Sequence, residues 1–375
     1  MKGLRIIFYK PVSLMTALCM TVMLLAGCGA SSTENSNSNP AQTSAPTPAE
    51  TSKAENQDSV EINIGNWAPA THHWKEYVFT PWKNMVEEKT DGRVKVNIFD
   101  GGVLGGSDTT LGDVAGGKYD LGMLVYAYFY DTPFFIGTIA MLPFAFNNVE
   151  TAHKVAIKFV EKYGKDKFEQ IHYGGAMGTD PYWMFSKKSI DSMEDLKGLN
   201  IRTPSKEWNP IIQAWGANPV SMPLNESYEA LQRGTMDAIL YSIVGGVGYK
   251  FHEVAPYVLK YDLYSNSSAI VLNKNTYNSI PEDIKPMFDN ELLPQIPDLM
   301  LQDYKDRITE SIAVLEKEAT LIEPGEELKS AIKAAGKAAW DNWVKEANDR
   351  GYPGDEMMAD FKQMIIDEGG TVPYE

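Results

Sequence analysis

Cysteine is nearly absent from this chain: Cys19 and Cys28 are the two in 375 residues. Cys19 falls in a segment read below as a removable signal, so a mature chain keeps Cys28 alone. An intramolecular disulfide is then impossible, and zinc sites of the four-cysteine or two-cysteine type are excluded. Histidine is scarce too, five in all. His72-His73 is the one adjacent pair, and His153, His172 and His252 are isolated. Neighbours on a helix point apart, and no carboxylate stands at a familiar metal spacing, so no metal or other cofactor is expected. Positive charge is in deficit, with 34 Lys and Arg against 50 Asp and Glu, a net of −16. Nucleic acid is held mostly by Lys and Arg on phosphates, so no nucleic-acid partner is expected. A polybasic face for anionic lipid is missing as well. No fixed-period repeat is visible. Beyond residue 26, no apolar run approaches the length of a spanning helix.

The N-terminus carries what the rest lacks. Lys2, Arg5 and Lys10 form a positive region, and Val12 to Ala26 is apolar, too short for a comfortable span and suited to a signal core. It ends Leu25-Ala26-Gly27-Cys28, which resembles the bacterial lipoprotein signal, whose cysteine is lipidated and becomes the new terminus. Loss of the three basic residues takes the charge from −16 to −19. Residues 29–58 are Ser, Thr, Asn, Pro, Gln and Ala with almost no large apolar side chain. Such a segment buries too little to offset chain entropy and is expected to be a disordered tether, spanning on the order of 30 Å. The address is thus the outer face of the cytoplasmic membrane. About 317 residues remain, a length suited to two lobes or domains.

Those residues alternate strand and helix. Val60–Ile64 and Val94–Phe99 alternate apolar and polar, as strands do, and Trp74, Tyr77, Val78, Trp82, Met85 and Val86 recur at helical spacing between them. Tyr119–Leu124 is a further strand. Ile171–Phe185 is extended, glycine-punctuated and long enough to cross between lobes. Short strands are expected at Leu199–Arg202, Val220–Met222, Met236–Leu240 and Ala269–Leu272. Beyond Pro281 two long helical stripes appear, Met300 to Leu315 and Leu328 to Trp343. The fold class is α/β with largely parallel sheets.

Chemistry-bearing motifs are few. Gly112-Asp113-Val114-Ala115-Gly116-Gly117-Lys118-Tyr119 comes near a phosphate loop, but Tyr119 stands where Ser or Thr would hold magnesium. Its glycines close a helix instead of opening one, which favours a helix C-cap. No G-x-S-x-G elbow occurs, although a dispersed hydrolase triad or carboxylate pair stays open on spacing alone. Aromatics are plentiful: Tyr126, Tyr128, Phe129 and Tyr130 crowd one loop, and Tyr182 and Trp183 sit on the supposed crossing strand. Core packing accounts for at least half of them. Ligands of α/β sheets gather at strand C-terminal ends, and Trp67, Tyr126 and Tyr241 fit that place best. Arg202 ends a short apolar strand before Thr203-Pro204. Its fork of donors matches a carboxylate, and a surface ion pair is the equally weighted alternative.

The run Ser192-Met193-Glu194-Asp195-Leu196-Lys197-Gly198-Leu199-Asn200-Ile201-Arg202-Thr203-Pro204 resembles the signature of substrate-binding proteins of tripartite ATP-independent periplasmic (TRAP) transporters, the DctP-like family. Gly216-Ala217-Asn218-Pro219-Val220, Tyr228 to Ala238, Gly117 to Gly122 and Leu142-Pro143-Phe144 also look like the family, so the likeness covers most of residues 60–320. The resemblance implies a two-lobed periplasmic-binding-protein-like fold, with a ligand cleft between lobes, crossing strands and a long helix along both. It places lobe I at 59–182 plus 267–300, lobe II at 183–266, and spanning and C-terminal helices at 301–375. It gives Arg202 the role of clamping a substrate carboxylate, and Lys188 stands near a second basic position. Where many members carry Gln-Glu-Asn, this chain has Ile239-Leu240-Tyr241. That departure points from sialic acid and C4-dicarboxylates towards an apolar or aromatic monocarboxylate. The expected function is capture of a small organic acid and delivery to an ion-gradient-driven permease, without catalysis. Candidate binding residues are Arg202, Lys188, Tyr241, Trp67, Tyr126 and Trp183, with Cys28 as the lipidation site. An ATP-driven importer or sensor and an anchored extracellular hydrolase are the alternatives.

Overall fold

Two long strands carry the architecture. The computed structural model describes residues 59–203 and 206–374; the expected signal, Cys28 and tether lie outside the described residues. The nine strands are β1 (Val60–Gly65), β2 (Val94–Phe99), β3 (Leu121–Val125), β4 (Ile171–Ser186), β5 (Asn200–Arg202), β6 (Asn218–Val220), β7 (Ala238–Ser242), β8 (Tyr257–Asn273) and β9 (Thr320–Ile322). They lie in the order β2-β1-β3-β8-β4-β7-β5-β6, with β9 added to β8. β4 and β8 are antiparallel and run through both halves of the sheet, each on the order of 50 Å long at strand rise. One end of β8 takes β3, with Leu121 facing Leu272. The other end of β4 takes β7, with Ser186 facing Ala238. β1–β3 therefore build one lobe and β5–β7 the other, each parallel within itself and joined by the crossing pair.

Burial explains the local choices. In β1 the alternation sends Ile62 and Ile64 inward, while β3 (Leu-Gly-Met-Leu-Val) is buried at every position, as an inner strand must be. The crossing pair is irregular. Its register shifts between Tyr173 and Ala176, between Gly178 and Pro181, and between Tyr182 and Met184. At Gly178 the helix Val149–Tyr163 lies so close that a Cβ would come 2.5 Å from the carbonyl carbon of Ala152. The helix Gln295–Glu318 packs on β4, on the turn Lys75–Phe79 of the first lobe and on the helix Ile243–Gly248 of the second. It buries Met300, Tyr304 and Leu315.

Several expectations are corrected. The stripe Leu328 to Trp343 is two helices, Glu326–Ala334 and Lys337–Asp349, separated at Gly336. Glycine weakens a helix, and here its bare Cα lets the Tyr374 hydroxyl approach to 2.2 Å of where a Cβ would stand. The extended piece at Ala269–Leu272 is only the end of the 17-residue β8. The polar run Ser265-Asn266-Ser267-Ser268 hid the rest, because buried polar residues give no hydrophobic period. His72 and His73 do not point apart: they lie in the turn that opens a helix, with ring centroids 4.1 Å from each other. The Gly112–Tyr119 stretch, by contrast, is as expected the end of a helix, Thr110–Ala115, and Gly117 takes φ +73° after it.

Candidate functional site

The carboxyl ends of β1, β3, β5 and β7 all reach the seam where β4 and β8 cross. A narrow cavity lies there, with about 420 Å3 of free space, of which about 20 Å3 admits the centre of a water molecule. That is room for one or two waters; anything larger needs the walls to part. Lobe I contributes Trp67 after β1, Trp74 from the following turn, Met123 and Val125 of β3, and Tyr128 just beyond. Lobe II contributes Arg202 at the end of β5, Leu224, and Tyr241 and Ser242 at the end of β7. Thr179 and Tyr182 of β4, Asn266 and Ser268 of β8, and Tyr304 of the long helix complete the wall.

Arg202 is fully buried. Its Nη2 donates to the Tyr128 hydroxyl at 2.6 Å and to the Met222 carbonyl at 3.3 Å, and its Nε to the same carbonyl at 3.4 Å. None of the ion pairs found among the described residues involves it. Burial opposes its charge, and the oxygens of Tyr128, Tyr264, Tyr241 and Tyr182 more than offset this, so its pKa moves up. It remains a cation held by neutral groups. A buried cation is costly unless a counter-charge pairs with it. Around it the aromatics interlock: Trp67 stands edge-on to Trp74 at 5.0 Å, and Tyr182 lies 5.3 Å from Tyr241 and 4.6 Å from Tyr264. Burial pushes the phenols of Tyr182, Tyr241 and Tyr304 up, so they stay neutral at any physiological pH.

Beneath the cavity Asp180 is completely buried in the crossing strand. It accepts from the Ser242 hydroxyl and from the Val244 backbone N–H, the latter at 2.9 Å. Burial raises its carboxyl to about 7, against the pull of these hydrogen bonds. This link ties β4 to the end of β7, which carries Tyr241. Behind Trp74, His73 Nδ1 pairs with Asp303, and Arg307 Nε donates to the other Asp303 oxygen at 2.8 Å. Burial, helped by Arg307, lowers His73 to about 3, so the neutral ring donates. Among the described residues no three His, Cys, Asp or Glu side chains gather as a metal site.

Of the residues expected from sequence, Arg202, Trp67 and Tyr241 come together here. Lys188, Tyr126 and Trp183 do not. Lys188 is exposed on the turn after β4. Ser186 pairs with Ala238 at the start of β7, so Lys188 lies at the far end of the lobe from Tyr241. Tyr126 turns into a separate core against Phe134, under Gly137, where a Cβ would meet its ring at 2.4 Å. The short 3-10 turn Tyr126–Phe129 brings Tyr128 to the cavity in its place. Trp183 faces the opposite side of β4: its Nε1 donates to Asp262 at 2.8 Å, and it lines another groove with Phe144 and Tyr261. Its neighbour Tyr182 holds the cavity position. Thr179, Asn266, Ser268 and Tyr304 carried no distinguishing signal in the sequence.

Two α/β lobes with the cavity at the seam of their crossing strands define a solute-binding protein of the periplasmic type. Residues 64–347 match the model of bacterial extracellular solute-binding protein, family 7 (DctP), and the chain belongs to that family. It is thus a TRAP solute-binding protein. The 2,3-diketo-L-gulonate-binding periplasmic protein of Escherichia coli is 28% identical over 214 residues, 54% of this chain and 63% of that one. The match therefore spans less than two thirds of that relative. A TRAP solute-binding protein of Rhodoferax ferrireducens, in complex with copurified benzoate, has a TM-score of 0.74 at 21% identity, covering 83% of this chain and 99% of that one. A marine-metagenome TRAP solute-binding protein specific for aromatic acid ligands has a TM-score of 0.76 at 22% identity, covering 83% and 99%. No helix among the described residues is long and apolar enough to cross a membrane.

Proposed function

We propose that this protein captures a small organic monocarboxylate, aromatic or apolar in its body, outside the cytoplasmic membrane and delivers it to an ion-gradient-driven permease. Arg202 clamps the carboxylate, and Trp67, Trp74, Tyr182 and Tyr241 sandwich the body. One observation carries the reading: a fully buried guanidinium faces an aromatic cavity, and among the described residues no carboxylate is in ion-pair contact with it. The ligand carboxylate is the counter-charge that makes the burial favourable. It comes with lobe closure, because Arg202 sits on lobe II and the two tryptophans on lobe I. Two similar proteins, one carrying benzoate and one specific for aromatic acids, support the same class. Lipidated Cys28 holds the chain at the membrane, and residues 29–58 let it reach the permease.

Thermal-shift screening of the purified protein against organic acids tests this, followed by calorimetry and recovery of the ligand. Benzoate-like acids should raise Tm and be recovered unchanged, whereas sugars, amines and dicarboxylates should not raise it. A chemically altered ligand would instead point to a hydrolase. Stabilisation by neutral sugars alone would refute the carboxylate clamp.

A further inference from the structure

We infer that the cavity grips its ligand at two ends, and that Ser268 on β8 receives a hydroxyl carried on the body of the acid, so that a hydroxylated acid is preferred to its unsubstituted analogue. The inference rests on the reading that Arg202 takes the carboxylate. Ser268 is fully buried, lines the cavity, and its hydroxyl has no hydrogen-bond partner among the described residues. A buried hydroxyl without a partner is unfavourable and is satisfied by whatever polar atom occupies the space beside it. The walls nearby offer none. Met123 and Val125 are apolar, and the Trp67 indole is already donating to the Met123 carbonyl. Of the other polar groups of the wall, Ser242 donates to Asp180 and accepts from Gly245 N, and Thr179 accepts from Asn266 N while donating to the Asp180 carbonyl; the Trp74 indole N–H, a donor only, is the other wall group without a partner among the described residues.

Register separates the two ends. Ser268 pairs with Val125 of β3 and with Met177 of β4, on the lobe I side, whereas Arg202 ends β5 in lobe II. A ligand with a carboxylate on one side and a hydroxyl on the other therefore bridges the lobes. An unsubstituted acid makes the first contact only. Ser267, the next residue, is equally buried, and its hydroxyl is also without a partner, but it does not line the cavity. That difference provides the control.

Calorimetry would compare benzoate, 3-methylbenzoate, 3-hydroxybenzoate and 4-hydroxybenzoate on the wild-type chain, Ser268→Ala and Ser267→Ala. One hydroxybenzoate should bind about fivefold or more tighter than benzoate, the gain expected of one net hydrogen bond. 3-Methylbenzoate, of similar size, should show no such gain. Ser268→Ala should erase the preference, with the loss falling on the hydroxylated acid and not equally on all four acids. Ser267→Ala should keep it. Equal affinities for benzoate and both hydroxybenzoates in wild type would overturn the inference while leaving the carboxylate clamp intact. So would an equal loss for all four acids in Ser268→Ala, or loss of the preference in Ser267→Ala. Binding of none of the acids would instead overturn the clamp, and this inference with it.

Discussion

Replacing Arg202 by methionine separates a binding role from a structural one. Methionine keeps most of the volume and removes the charge and the fork. In the ligand-bound protein the change leaves a carboxylate desolvated and unpaired. Losing one partner of a buried charge pair costs about 2–5 kcal/mol, or about thirtyfold to several thousandfold in Kd. Without ligand the terms oppose each other. The Tyr128 hydroxyl and Met222 carbonyl lose a charged donor, about 1–3 kcal/mol each. Against that, a fully buried cation with no ion-pair partner among the described residues disappears, relieving a desolvation penalty of several kcal/mol. The balance is small, so the unliganded Tm should move by only a few degrees, at about 2–4 °C per kcal/mol for a chain of this size. Arg202→Lys keeps charge but not geometry and should fall between wild type and methionine. Calorimetry with the best acid from the screen gives Kd, and calorimetric melting with and without that acid gives stability. An unchanged Kd in Arg202→Met refutes the clamp. A collapse of unliganded Tm shows that the guanidinium holds Tyr128 and the β5 end in place for the fold itself.

Lys188→Ala should leave Kd for the same acid within about twofold, since exposed charges remote from a site act only through a screened field; a loss of tenfold or more would place Lys188 at the ligand. Trp183→Phe should lower Tm through the lost bond to Asp262, yet keep Kd. For Asp180 the sign follows from its raised pKa of about 7 against 3.8 unfolded: its ionisation costs the folded state nothing below pH 3.8, progressively more between the two values, and the full penalty above 7. Asp180→Asn removes that dependence, so wild type should lose Tm relative to the variant as pH rises from about 4 to 7; parallel curves would show the carboxylate to be ionised throughout. Cys28→Ser should shift the protein from the membrane fraction to the soluble extracytoplasmic one, or leave it uncleaved, with ligand affinity intact; membrane attachment unchanged in the variant would end the lipoprotein reading.

That Arg202, Trp67 and Tyr241 line one cavity is legible in the sequence because one rule covers all three. A short apolar strand ends, and its last side chain or the next loop faces the seam of the sheet. That rule needs only the strand boundary. Choosing between neighbours needs the parity of the backbone, and parity is where local pattern stops. Tyr126 ranked above Tyr128 because it is nearer the strand end, but the 3-10 turn Tyr126–Phe129 rotates successive residues by a third of a turn and sends Tyr126 into the core under Gly137. Trp183 ranked with Tyr182 because both lie on β4. Which of them faces the cavity depends on bulges at Gly178–Pro181 and Tyr182–Met184, each of which resets the alternation. Lys188 follows the same strand by two residues, yet the antiparallel run of β4 against β7 carries it to the end of the lobe far from Tyr241.

The serines of β8 show the opposite limit. Ser265, Asn266, Ser267 and Ser268 interrupt what would otherwise read as a buried strand, so local pattern shows only the last part of the 17-residue β8. A packed core gives no reason to spend four consecutive buried positions on polar side chains, each of which needs a partner or costs free energy. At the crossing of two strands between two lobes the reason is different. On the proposed function, the seam meets water when the lobes part and a ligand when they close, and residues there answer to two environments. The break in hydrophobic pattern within a strand long enough to cross both lobes is itself the mark of the seam. In this chain it falls beside Thr179 and Asp180 of β4, the other place where buried polar residues cluster in a crossing strand.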